Sequence, residues 1–152
     1  MDMNDHWQEL RFGKYIGMTA PQIALRDPDW IFWAVGNAHP GPFSYEIATV
    51  AYRAQNILLP PVGGVPQMVE YIIDPLSGKL VNVEVISYPN AVPSECSRVL
   101  DLSYARRCHP YDKLGGRRLV QAVKRYVLGV NRITRDIADT FFADACNFAL
   151  HG

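Results

Sequence analysis

The chain has 152 residues, 49% of them hydrophobic, with 15 basic and 15 acidic side chains, and that length supports a single domain over 1–152. No run approaches the roughly 20 apolar residues that span a bilayer, so no membrane association is expected. Met1-Asp2-Met3-Asn4-Asp5 lacks the basic-then-apolar pattern of an export signal, and Cys96, Cys108 and Cys146 form no C-x-x-C pair, so a cytoplasmic location without a disulfide framework is expected.

In chain order, Leu10 to Phe12 and Tyr15 to Met18 read as two very short strands, with Gly13 supplying a backbone conformation that a bulkier residue resists and Gly17 closing the turn. Thr19 caps a helix through Ala20 to Leu25, with Gln22 in the capping-box position. Asp27-Pro28 starts a second helix, Asp as N-cap and Pro at the first helical position, carrying Trp30, Ile31, Trp33 and Ala34 inward. After the breaker Ala38-His39-Pro40-Gly41-Pro42, Ser44 caps a third helix to about Asn56, with Ile47, Ala51, Ala54 and Leu58 along one face.

Pro60-Pro61-Val62-Gly63-Gly64 ends that helix. Gln67 to Ile73 and Lys79 to Ser87 are rich in β-branched residues and flank the turn Asp74-Pro75-Leu76-Ser77-Gly78, which predicts an antiparallel hairpin, broken afterwards by Pro89 and Pro93. From Asp112 or Gly116 to Leu128, Leu119, Val120, Val123 and Val127 oppose Arg117, Arg118, Gln121, Lys124 and Arg125, an amphipathic helix that Gly129 ends. Thr134 to about Leu150 predicts a last helix that buries Ile137, Phe141, Phe142, Ala145, Cys146 and Ala149. The fold class is α+β: a small N-terminal β-turn plus helices, a central antiparallel hairpin and two C-terminal helices.

Zero net charge hides a segregation. Between Arg98 and Arg135 ten basic residues stand against Asp101 and Asp112, a net charge of +8, whereas residues 1–97 carry five basic and ten acidic groups. Arg117, Arg118, Lys124 and Arg125 are expected on one helix face, with Arg106 and Arg107 just upstream, a set able to neutralise several phosphates. Gly115-Gly116 before that helix can leave backbone amides open to an anion.

Arg11-Phe12-Gly13-Lys14-Tyr15-Ile16-Gly17-Met18-Thr19, followed by Ile23-Ala24-Leu25-Arg26-Asp27-Pro28-Asp29-Trp30-Ile31-Phe32-Trp33, resembles the small C-terminal module of exodeoxyribonuclease X-like proteins. That module reads F-G-K-Y-x-G, then a short helix, then D-P-x-Y/W-L-x-W, and the resemblance covers residues 11–37 only. It implies nucleic-acid association and adds weight to Lys14 and Tyr15, a cation beside an aromatic face that suits a phosphate and a stacked base. Family members often carry further lysines around the second glycine, where this chain has Ile16 and Met18. The nuclease domain that precedes the module in full-length relatives uses a D-x-E pair with further Asp and His to hold two metals. No D-x-E occurs here and only ten residues precede Arg11, so that domain is not expected.

Cys96, Cys108 and His109 lack the doubled ligand pairs of a zinc site, and His6, His39 and His151 have no partner spacing for acid–base work. Ser94-Glu95-Cys96-Ser97 lacks the glycines of a nucleophile elbow, and Gly63-Gly64 lacks the Gly-Lys-Ser/Thr of a P-loop. No metal, cofactor or catalytic residue is therefore assigned. The expected function is a non-catalytic accessory protein of the phage or mobile-element kind that binds DNA, RNA or a nucleoprotein. The alternatives are a protein-binding module or inhibitor that docks its basic helix on an acidic surface of a nucleic-acid-processing complex, and an enzyme whose site assembles from scattered residues.

Overall fold

A computed structural model describes residues 7–37, 42–87, 98–108 and 112–149. His6, His39, His109 and His151, Cys96, the prolines at 89 and 93 and most of the breaker at 38–42 lie outside the described residues.

The chain opens on a closed loop. The Leu10 N–H donates to the Met18 carbonyl and the Gly17 N–H to the Leu10 carbonyl, both at 2.8 Å, and Glu9 bridges Thr19. Residues 12–17 between them are turns and bends, so the two short strands expected there reduce to a single bridge. Gly13 and Gly17 adopt φ of 75° and 88°, the left-handed backbone that a side chain resists. Thr19 then caps α1 (Ala20–Ala24) by accepting from the Gln22 N–H, but the reciprocal capping-box bond is absent because Gln22 Oε1 has no partner. The Thr19 hydroxyl instead donates to Asp139 Oδ1 at 2.6 Å, tying α1 to the far end of the chain.

Helix α2 (Pro28–Gly36) buries Ile31 and Ala34, while Trp30 is half-buried and Trp33 is exposed rather than inward. Helix α3 (Pro42–Ala54) starts two residues before Ser44, which lies inside it rather than capping it. Its buried stripe contains Ile47, Val50, Ala51 and Ala54 as expected, but Leu58 belongs to a strand, β1 (Ile57–Leu58), and is partly exposed. Helix α1 packs against α2, α3 and α6 (Arg135–Ala143), so the N-terminal and C-terminal segments share one core.

The predicted hairpin forms from β2 (Gln67–Ile73) and β3 (Leu80–Ser87), antiparallel, with an irregularity between Ile72 and Ile73. Asp74 organises its turn by accepting from the Leu76 and Ser77 N–H groups and the Ser77 hydroxyl. A second antiparallel pair, β1 with β4 (Val99–Leu100), was not legible in the sequence because each strand has two residues and no alternation to read. Helix α4 (Tyr104–Cys108) follows, with Tyr104 stacked on Tyr71 at 3.8 Å between ring centres.

Helix α5 (Lys113–Ala122) lies against β3, α2 and α4 and continues as a π-helical turn, Val123–Leu128, ended by Gly129 in the left-handed conformation. The side chain of Asp112 fastens it in place. Its Oδ1 accepts from the Gly115 N–H at 2.9 Å and its Oδ2 from the Leu80 N–H at 3.2 Å, joining the helix start to β3. A Cβ on Gly115 would stand 2.6 Å from Asp112 Oδ2 and 2.9 Å from Ala105 Cβ, so glycine is required by close packing. The Gly115 and Gly116 amides both bond Asp112 and are not open to an anion, which corrects that expectation.

The last helix is shorter than the sequence predicts. Asp144 leaves the helical conformation (φ −94°, ψ 108°) and caps a 3-10 turn, Ala145–Asn147, after which Phe148 bridges Ile57. Breaking the helix lets Phe148 reach Phe141 and Phe142 at 5.1 and 5.4 Å between ring centres, and it turns Ala145 and Cys146 outward rather than into the core.

Candidate nucleic-acid interface

Lys14 and Tyr15 sit at the tip of the N-terminal loop, but only the lysine is presented to solvent. The Tyr15 ring is 8% exposed and packs edge-on to Trp30 at 5.8 Å. Its hydroxyl donates to Asp27 Oδ2 at 2.5 Å. Burial, then this hydrogen bond and the nearby Asp27 charge, push the phenol up to about 12. Tyr15 therefore has no free face for a base to stack on, and its role in the expected interface changes from platform to buttress. The Lys14 ammonium lies 5.3 Å from the centre of the same ring.

Asp27 is the N-cap of α2 by position, yet it makes no side-chain cap, because its carboxylate is engaged by Tyr15. Asp29, in the first turn of α2, is paired with Arg106 at 3.4 Å, and the same Arg106 Nη1 donates to the Asp29 carbonyl at 3.1 Å. Arg107 pairs with Asp101 at 3.0 Å. Both arginines are thus engaged within the chain: Arg106 helps hold α4 to α2, and Arg107 pairs just ahead of its own helix.

The four cations expected on one face of α5 are divided. Along a helix, Lys113, Arg117 and Lys124 recur at spacings of four and seven, whereas Arg118 and Arg125 lie about 100° further round. The structure follows that periodicity. Arg117 and Lys113 line a cavity of about 340 Å³ with Lys14, Arg26, Asp27, Asp29 and Gly116. Lys124 lines a neighbouring hollow with Arg26, Arg132 and Arg135. Arg118 and Arg125 line a separate one against β3, beside Asn82 and Glu84, where Arg118 Nε is buried without a partner.

Arg26 borders both of the first two cavities, so the N-terminal loop and the basic helix share one surface despite their distance in sequence. Lys14, Lys113, Arg117, Arg26, Lys124 and Arg132 form this strip, and among the described residues none of the six makes an ion pair. Arg135, at its border, is already bonded to Glu9 at 2.7 Å and lies 3.6 Å from Asp139. Arg26, Lys113 and Arg132 were not singled out from the sequence. Helical spacing was enough to find Lys113, but Arg26 lies in the acidic half and Arg132 in a loop, where no periodicity marks them.

Among the described residues no group of three or more His, Cys, Asp or Glu is placed to hold a metal ion, and no helix is long and apolar enough to cross a membrane. Comparisons with protein families, with curated proteins and with solved structures gave no match.

Proposed function

We propose that this chain is a nucleic-acid-associated accessory protein whose contact surface is the strip from Lys14 through Arg26 to Arg132. One observation carries the proposal: six cations from the loop, the turn after α1, α5 with its π-helical continuation and the segment before α6 border shared cavities and, among the described residues, make no ion pair. Other arginines of the same chain, Arg106, Arg107 and Arg135, are neutralised internally. Unpaired cations in a row suit a polyanion, whose bound counterions are released as each phosphate is neutralised. The resemblance of residues 11–37 to an exodeoxyribonuclease X-like module agrees with this ligand class, with Lys14 rather than Tyr15 as the contacting group.

Fluorescence polarisation with labelled single-stranded and duplex oligonucleotides tests the proposal. Binding that engages all six cations gives a log–log salt slope of roughly −4 on a single strand. Arg26→Ala, at the junction of the two cavities, is expected to weaken binding at least several-fold and to flatten that slope. No binding by the unaltered chain at tens of micromolar near physiological salt would sink the idea; capture by an acidic protein instead would favour the docking alternative.

A further inference from the structure

We infer that the cavity between the N-terminal loop and α5 takes a phosphate monoester at the end of a nucleic-acid strand, so that the strip is read from an end. The inference rests on the nucleic-acid reading above and names the group that the cavity selects.

Four cations, Lys14, Arg26, Lys113 and Arg117, converge on about 340 Å³ from three separate elements. That volume holds a group of about one nucleotide. Of the two carboxylates in the lining, Asp29 is paired with Arg106, while Asp27 accepts from the neutral Tyr15 hydroxyl and offsets one of the four, leaving an excess of positive charge. An internal phosphodiester brings one negative charge, whereas a terminal monoester brings close to two at pH 7 and three acceptor oxygens. The doubly charged group is therefore the better match to four cations that face one cavity. Tyr15, Asp27 and Trp30 brace one wall, and Gly116 lies against Pro28 at the other.

The test compares one oligonucleotide sequence in four forms, 5′-phosphorylated, 3′-phosphorylated, unphosphorylated and circular, by competition against a labelled probe with the full chain. One of the phosphorylated forms is expected to bind about tenfold more tightly than the unphosphorylated and circular forms, and which one it is identifies the strand end. In Arg117→Ala and Lys14→Ala, both exposed positions, that preference should collapse to about twofold or less. Lys124→Ala should weaken all four forms alike and keep it. Equal binding of all four forms to the unaltered chain overturns the end-reading and leaves the nucleic-acid reading standing. A preference that survives both cavity variants overturns the location. No binding of any form overturns both proposals.

Discussion

At the N-terminal end of α1, Thr19 donates to a buried Asp139, which Arg135 approaches while also holding Glu9; just past the C-terminal end of the same helix, Arg26 stands exposed between two cavities and, among the described residues, makes no ion pair. The first region is a clasp. Trp7 Nε1 donates to the Asp139 carbonyl, the Gln8 N–H donates to Glu46, and the N-terminal segment is thereby fastened across α3 and α6. The second is an open strip. Charged residues occur at both, and what separates the two regions is whether burial and a partner have already satisfied the charge. Arg106 and Arg107, expected among the nucleic-acid contacts, are engaged like the clasp; Lys14, Arg117 and Lys124 remain in the strip.

Variants on the two sides should therefore separate stability from binding. The largest effect is expected at Phe142, fully buried against Phe141 and Phe148, with its carbonyl accepting from Arg53. Phe142→Ala should cost about 3–5 kcal/mol and lower the melting temperature by roughly 10 °C, with oligonucleotide affinity at low temperature unchanged. A loss of affinity without a thermal shift would erase the distinction between the regions. A smaller effect is expected where they meet, at Tyr15. Tyr15→Phe removes the hydroxyl from a half-buried Asp27 and should cost about 1 kcal/mol, or about 2–4 °C of melting temperature. It should also remove one tyrosine from those that ionise near pH 12, read by ultraviolet titration of the phenolate.

The smallest effect sharpens the clasp itself. Burial raises Glu46, opposed by the Gln8 N–H and reinforced by the charge of Asp139, and burial likewise raises Asp139 against the Thr19 and Arg135 bonds. A carboxyl raised on folding binds its proton more readily in the native state. Its stabilising contribution is therefore present below the unfolded-state value and is lost as pH rises through the folded-state value. Glu46→Gln keeps an acceptor for the Gln8 N–H and removes the charge, so it should raise the melting temperature slightly at pH 7. That gain should shrink as pH falls into the ordinary carboxylate range; a gain independent of pH would mean that the Glu46 charge is not what limits the clasp.

Sequence by itself determined the local pieces of this protein. The left-handed turns at Gly13, Gly17 and Gly129, the Thr19 cap, the helix start at Pro28 and the Gln67–Ser87 hairpin are all governed by interactions within a few residues, where backbone sterics and capping chemistry decide. The α+β class follows from those pieces. Tertiary structure decided what depends on distant partners: that Tyr15 is buried against Asp27 and Trp30, that Asp144 breaks the last helix so Phe148 can pack, and that Arg106 is engaged by a residue 77 positions away. It also decided that Lys14 and Arg117, from the acidic and basic halves of the chain, border one cavity. Local sequence specifies which side chains are charged or aromatic, but burial and pairing arise only when separate segments meet, and those two quantities decide which cations stay exposed.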